Sequence, residues 1–297
     1  AAPSTPAPHV FAPLSPTFPE AIYTLYPERL GDSHDAATDG DHSLLPPRFE
    51  EDSVEILAET EGHIQRIEPG PLMQAATAKD LIIRMEHRPG QFVQHDDVIL
   101  RIWPAERAER AVLDVLRESF AISHQRSLAQ DAEFAIQQLV EVAVRALSPG
   151  INDPFTAMQC VDHLAAALSV LADRSIPSPC RRGESGRLRV IGYSKTFADF
   201  LDTSYNQIRQ YATGSLDVLL RLLEALERVG RCVRRVEDGV AVAEHAAVVH
   251  ELALKAAQSE RDRNAVQKRY REFQESLNTG VPPQEMKPNL GGKSQGG

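Results

Sequence analysis

The sequence predicts an α+β protein, mainly α, in which a small β module is followed by an antiparallel helical bundle with one β-hairpin insertion. Three observations carry this. From Val54 to Trp103 apolar residues recur with a period of two; after Pro104 they recur with the helical period almost to the end; and one stretch, PSPCRRGESGRLRVIGY, interrupts the helical run with Pro, Gly and β-branched residues. A chain of 297 residues with 42% hydrophobic content can bury a full core, and two compact domains with tails are the natural reading.

Residues 1–53 are read as a linker with a short helix and an acidic loop. The opening AAPSTPAPHVFAPLSPTFP is Pro/Ala/Ser-rich and lacks the charged start and apolar middle of a signal peptide, so it is taken as a linker whose upstream part is missing. PEAIYTLYPERLG is expected to form the helix and DSHDAATDGDHSLLPPRFEEDS the loop.

The β module covers 54–103. In DLIIRMEHRPGQFVQHDDVILRIWP, Leu81, Ile83 and Met85 share one face and Val98, Leu100 and Ile102 another, as in half-buried strands. Pro89-Gly90 falls at the centre of a type II turn, and His95-Asp96-Asp97 supplies the next reversal. The order GHIQRI, the insert PGPLMQAATAK, then IRMEHRPGQFVQHDDVILRI resembles half of a barrel-sandwich of the biotinyl/lipoyl kind. A carrier role would need a lysine at an exposed hairpin tip. Lys79 stands before a strand in AKDL instead, so the module is read as a scaffold.

The bundle covers 104–277. AERAERAVLDVLRESFAIS places Ala108, Ala111, Val112, Val115, Leu116 and Phe120 on one stripe, and the next helix does the same with Ile136, Leu139, Val140, Ala143, Val144 and Leu147. Ser127 followed by Gln130 has the capping-box pattern for its start. INDPFTAMQCVDHLAAALSVLADR then buries Met158, Val161, Ala165, Leu168 and Ala172. The interruption is expected as a hairpin around Glu184-Ser185-Gly186, and four more helices follow: TFADFLDTSYNQIRQYA, SLDVLLRLLEALERVG, VEDGVAVAEHAAVVHELALKAA and SERDRNAVQKRYREFQESL. Residues 278–297 are too rich in Gly, Pro and polar residues to pack and are taken as a disordered tail. The direct Ile102-Trp103-Pro104 junction leaves no flexible linker, so module and bundle are expected to form one rigid body. The apolar stripe of VAVAEHAAVVHELALKAA exceeds what one neighbouring helix covers, which predicts a homo-oligomer.

A net charge of −10 argues against nucleic acid as a partner, since no basic excess marks a phosphate-binding face. Cys160, Cys180 and Cys232 are odd in number and widely spaced, as reduced thiols in a cytosolic setting are. No run approaches the roughly 18 consecutive apolar residues of a membrane span; LAAALSVLA ends in Asp173-Arg174. Cys160 and His163 share a helical face but lack a second pair of metal ligands, and His245 and His250 point to different sides. HExxH, CxxC, GxGxxG, GxxxxGK[ST] and GxSxG are all missing, so neither metal nor cofactor is expected and no catalytic residue is assigned.

Two places remain as candidate sites. In RALSPGINDPF, Ser148 before Pro149 ends one helix, Gly150 is expected to close it in the left-handed conformation, and Asp153 caps the next with Pro154 at its first position. This predicts a buried structural joint; the rival reading makes Ser148, Gly150, Asn152 and Asp153 part of a ligand site with His124 and Arg126 of a neighbouring turn. At that turn His124, Arg126, Asp131 and Glu133 bring an imidazole beside carboxylates, which suits an acid/base pair or an ion site and equally suits caps and ion pairs. Arg209 in NQIRQYA has two readings: it closes a buried carboxylate, such as Asp153 or Asp162, or it joins the candidate ligand-binding residues.

FAISHQRSLAQDAEFAIQQLVEVAVRALSPGINDPFTAMQCVDHL, with NQIRQYA downstream and EGHIQRI and HRPGQFV upstream, resembles the bacterial family of predicted multi-pass membrane proteins of unknown function, DUF2254, from Pro19 to about Ser276. SPGINDPFTA is its most specific string. The resemblance implies the soluble portion of an integral membrane protein whose membrane-spanning helices precede this chain, facing the cytoplasm from a bacterial inner membrane by the positive-inside tendency. The partners it implies are those spans and the nearby bilayer, which the mixed-charge last helix could touch. The function expected is assembly, gating or sensing; the alternative is an enzyme or ligand/ion site between the SPGINDP corner and the His124 turn.

Overall fold

The period-two stretch forms strands and the helical stripes form helices in a computed structural model that describes residues 45–127 and 130–280. The helix expected over 19–31, most of the acidic loop and nearly all of the tail lie outside the described residues. The chain divides into two compact units: unit 1 holds 45–139 with Arg174–Thr203, and unit 2 holds Val140–Asp173 with 204–280. The division expected at residue 104 follows the change of period, whereas that junction lies inside unit 1.

In unit 1 the strands are β1 (Val54–Leu57), β2 (Gly62–Ile67), β3 (Ile82–Met85), β4 (Phe92–Val93), β5 (Val98–Trp103), β6 (Phe120–Ser123), β7 (Cys180–Arg182) and β8 (Leu188–Ile191). They make a five-stranded sheet in the order β1-β5-β3-β8-β7 and a three-stranded sheet in the order β4-β2-β6. Every pairing is antiparallel except β3 with β8, where Ile83 sits opposite Val190. Among the described residues neither sheet closes into a barrel. Alternation turns Ile64, Ile83, Leu100 and Ile102 into one core, joined by Leu72 and Leu116 from two helices.

Those helices are α1 (Pro69–Ala78) and α2 (Arg110–Glu118). The insert PGPLMQAATAK is thus a helix: proline at its first position supplies a fixed helical φ, and Leu72 and Ala76, four apart, bury one face. The helix expected to run on to Ser123 stops at Glu118, because FAIS pairs with β2, Phe120 opposite Ile67 and Ile122 opposite Ile64. Two apolar residues alternating with small ones fit a pleat as well as a helical stripe, and the edge of β2 decides. Gly90 has φ +83° and the Gln91 amide donates to the Arg88 carbonyl at 3.2 Å, the type II turn expected. The hairpin at 184–186 is present, with Gly186 at φ +74°.

Helix α3 (Ala132–Ala146) and helix α5 (Phe197–Tyr211) contribute residues to both units; α4 (Pro154–Ala172), α6 (Leu216–Gly230), α7 (Val236–Ala256) and α8 (Glu260–Gly280) belong to unit 2. There α4 packs on α6, and α6 on α7 and α8, through buried Leu164 and Leu168, Leu222 and Leu226, Val242 and Val249, and Phe273. By length and composition α4 is, among the described residues, the one helix long and apolar enough to cross a membrane, yet over half of it is buried. His250 stacks on Tyr270 with ring centroids 4.0 Å apart.

Candidate functional site

Unit 1 contains a cavity of about 370 Å³. Its apolar wall comes from Leu72 and Met73 of α1, Met85 of β3, Val190 of β8 and Phe200 of α5. Its polar wall comes from the turn before β4, the start of α3 and the segment after β8, which bring Arg88, Asp131, Glu133 and Lys195 together.

Glu133 is the centre of this wall. Its side chain is 9% exposed, with Arg88 Nη2 2.6 Å from Oε2 and Lys195 Nζ 2.7 Å from Oε1. Gln137 Nε2 and Thr203 Oγ1 also donate to Oε1, at 3.2 and 3.4 Å. The Arg88 contact is an ion pair off hydrogen-bond geometry, so Oε2 counts as paired by charge though no donor points at it. Burial pushes the Glu133 carboxyl up, Lys195 and Arg88 pull it down, and the net displacement is downward, so Glu133 is ionised at neutral pH.

Asp131 is held differently. Arg126 donates to Oδ2 through Nε at 3.0 Å and Nη2 at 2.5 Å, while the Phe134 amide donates to Oδ1 at 3.1 Å. Asp131 is therefore the cap of α3. The capping box expected from Ser127 and Gln130 is not formed, because the Gln130 side chain instead accepts from the Ile67 amide at 2.9 Å and donates to the Ile67 carbonyl at 3.3 Å, tying this segment to the end of β2. The Gly90 turn packs on the same carboxylate: a Cβ built on Gly90 would lie 1.9 Å from Asp131 Oδ2.

Of the residues singled out in the sequence, Arg126 and Asp131 are thus joined, and His124 stands exposed just past β6. Ser148, Gly150, Asn152 and Asp153 form the corner of unit 2. The Ile151 and Asn152 amides donate to the Ser148 carbonyl at 3.0 and 2.9 Å, the Ser148 hydroxyl donates to the Arg145 carbonyl at 2.7 Å, and the Asp153 amide returns to Ala146 O at 2.8 Å. Asp153 caps α4, accepting from the Thr156 amide at 3.1 Å and the Thr156 hydroxyl at 2.5 Å. These bonds, the hydroxyl's first, hold its carboxyl below the ordinary value.

Two expectations about the corner are corrected. The left-handed residue is Asn152, at φ +48°, not Gly150; asparagine tolerates that region, and a Cβ on Gly150 would meet nothing within 4 Å. The joint is also not buried, since Ile151 is 55% and Phe155 73% exposed. Arg209 donates to Asn206 Oδ1 at 3.1 Å rather than to Asp153 or Asp162; Asp162 is taken by Arg228 at 3.2 Å and Arg221 at 3.7 Å. Buried Cys160 has its thiol pushed up to about 12 by desolvation, and among the described residues no group of three metal-ligating side chains forms.

Sequence reasoning missed Arg88 and Lys195. In the sequence HRPGQFV signals a turn and a family resemblance rather than the charge of Arg88, YSKTF is not singled out, and the two meet only because β8 returns to the edge of β3.

The chain is similar to two curated relatives, the uncharacterized protein Mb1321c of Mycobacterium bovis and the uncharacterized protein Rv1290c of Mycobacterium tuberculosis, each 32% identical over 247 residues, which is 82% of this chain and 46% of the relative. The chain spans about half the length of the curated relatives it matches. No solved structure matches it. The model described as Predicted membrane protein (DUF2254) matches residues 6–228, and the chain belongs to that bacterial family of unknown function.

Proposed function

We propose that this chain is the aqueous, cytoplasm-facing portion of a bacterial inner-membrane protein, and that it senses a small ligand on behalf of membrane-spanning segments outside it. The observation that carries the sensing role is the unit 1 cavity, whose polar wall gathers a buried carboxylate and two cations on segments distant in the chain. Such convergent polar groups on an otherwise apolar cavity are the usual form of a ligand site. A homo-oligomer is part of the reading: Val240 and Val248, eight apart on α7, are 46% and 41% exposed.

The test fills the cavity in the membrane-borne protein. Met73→Trp is expected to leave membrane localisation intact and to change the protease-cleavage pattern in native membranes. A wild-type pattern would overturn the sensing role. Orientation is read separately, by fusing a fluorescent protein or alkaline phosphatase to the C-terminus. Fluorescence without phosphatase activity is expected, and the reverse would overturn the cytoplasmic placement.

A further inference from the structure

We infer that the unit 1 cavity takes a small amphipathic anion, an anionic head on an apolar tail, with the head between Arg88 and Lys195 and the tail against Leu72, Met73 and Val190. It deepens the sensing role proposed above by naming the class of ligand.

The charge balance of the wall calls for the head. Asp131 is matched by Arg126 at 2.5 Å. Glu133 alone then faces Arg88 and Lys195, and Arg181 at the rim has no carboxylate partner among the described residues, its Nη1 donating to the Ser178 carbonyl. Two cations are left over in a wall whose Arg88 and Lys195 side chains are only 27% and 19% exposed. The donors are in surplus as well. A guanidinium carries five N–H groups and an ammonium three, whereas Arg88 and Lys195 each direct a side-chain contact to one carboxylate, Glu133. An acceptor with negative charge satisfies both surpluses, and a cationic ligand worsens both.

The remaining wall calls for the tail. Leu72, Val190 and Phe200 are buried, and Met73 and Met85 are side chains that adapt to irregular apolar guests. The cavity of about 370 Å³ holds about a dozen non-hydrogen atoms at roughly 30 Å³ each, the share of a water in the liquid. A head of three to five atoms leaves roughly eight for the tail. A carboxylate and a phosphate monoester present the same chemistry to Arg88 and Lys195, so the head is tested both ways.

Isothermal titration of the 297-residue chain with octanoate, octyl phosphate, octanol, octylammonium and inorganic phosphate separates the parts. At least one of octanoate and octyl phosphate is expected to bind tenfold or more tighter than octanol, octylammonium and inorganic phosphate, and the stronger of the two identifies the head. Met73→Trp should weaken that ligand at least tenfold, and Lys195→Gln should reduce its advantage over octanol to less than threefold. Should Lys195→Gln fail to fold, Arg88→Gln, which leaves Glu133 paired with Lys195, makes the same test. Octanol binding as tightly as both anions, inorganic phosphate matching octyl phosphate, or Met73→Trp without effect would overturn the assignment. Tight anion binding that leaves the cleavage pattern in native membranes unchanged would sink the sensing role and leave this assignment standing; a wild-type chain that binds neither anion sinks this assignment, whatever the filled cavity does in membranes.

Discussion

The chain contains two Pro-Gly pairs in turns, and replacing the glycine of each by alanine should have opposite outcomes. At Gly90 the backbone is left-handed, φ +83°, which costs a side chain about 1–2 kcal/mol. The new Cβ would also lie 1.9 Å from Asp131 Oδ2 and 2.4 Å from its Cγ, so the carboxylate must leave its place. That place caps α3, worth about 0.5–2 kcal/mol, and holds Arg126 beside a carboxylate that is 2% exposed. The sum for Gly90→Ala is about 3 kcal/mol. At Gly150 there is neither a left-handed φ nor an atom within 4 Å of the added carbon, so Gly150→Ala should fall within about 0.5 kcal/mol of wild type. Urea unfolding is followed by tryptophan fluorescence for Gly90→Ala, because the single tryptophan is Trp103 of β5 in unit 1, and by far-ultraviolet circular dichroism for Gly150→Ala, because that corner lies among the helices of unit 2. With a urea slope of about 1–3 kcal/mol/M, Gly90→Ala should lower the midpoint by about 1–3 M. A loss below about 1 kcal/mol at Gly90, or an equal loss at Gly150, would refute the reasoning.

Other outcomes follow from the same contacts. Asp153→Ala should destabilise by about 1 kcal/mol through loss of the α4 cap; because the folded carboxyl is held below 3.8, the difference from wild type should persist above that pH and vanish as pH falls through the depressed value, and urea melts showing it undiminished in strong acid would contradict the capping role. Glu133→Gln should cost about 3 kcal/mol, the low end for removing one partner of a buried ion pair, since Arg88 and Lys195 keep some water. The stability that ionised Glu133 contributes is likewise present above 4.5 and lost in acid, so the gap to the Gln variant should close there. Of the three thiols, Cys180 and Cys232 should react with a thiol reagent in the folded chain at mildly alkaline pH, while Cys160, neutral and buried, should wait for denaturant; three fast thiols would contradict its burial.

What was legible in the sequence was local. Alternation in DLIIRME and DDVILRI, the type II turn at Pro89-Gly90, the hairpin at 184–186 and the Asp153 cap each depend on a few neighbours, and each is present. Where two readings fit the same local string, partners elsewhere decided. FAIS could extend α2 or pair with β2, and the open edge of β2 won; Gln130 could close a capping box, and the Ile67 backbone took it. Gly90 and Gly150 look alike in sequence, but a left-handed asparagine two residues on relieved Gly150 of the role. The polar wall of the cavity was least legible. Asp131 and Glu133 stood out as charges at a helix start, whereas Arg88 and Lys195 carry no local signal and meet Glu133 only through the pairing of β3 with β8.

That pairing also sets an order on the birth of the molecule. β3 finds β5 a few residues on, but its other neighbour, β8, emerges only after α3 and α4, and Asp80 beside β3 waits 109 residues for the Arg189 guanidinium that binds it at 2.7 Å. Through that interval a growing chain carries Ile82–Met85 with one bare edge, the kind of edge that recruits foreign strands. The entropic cost of closing so long a loop grows only slowly with length, yet the length delays the contact that rewards closure. A fragment that stops before residue 174 keeps the edge bare for good. Such a fragment is expected to aggregate, however complete its first six strands look on paper, and a nascent chain paused there is the natural client of a chaperone.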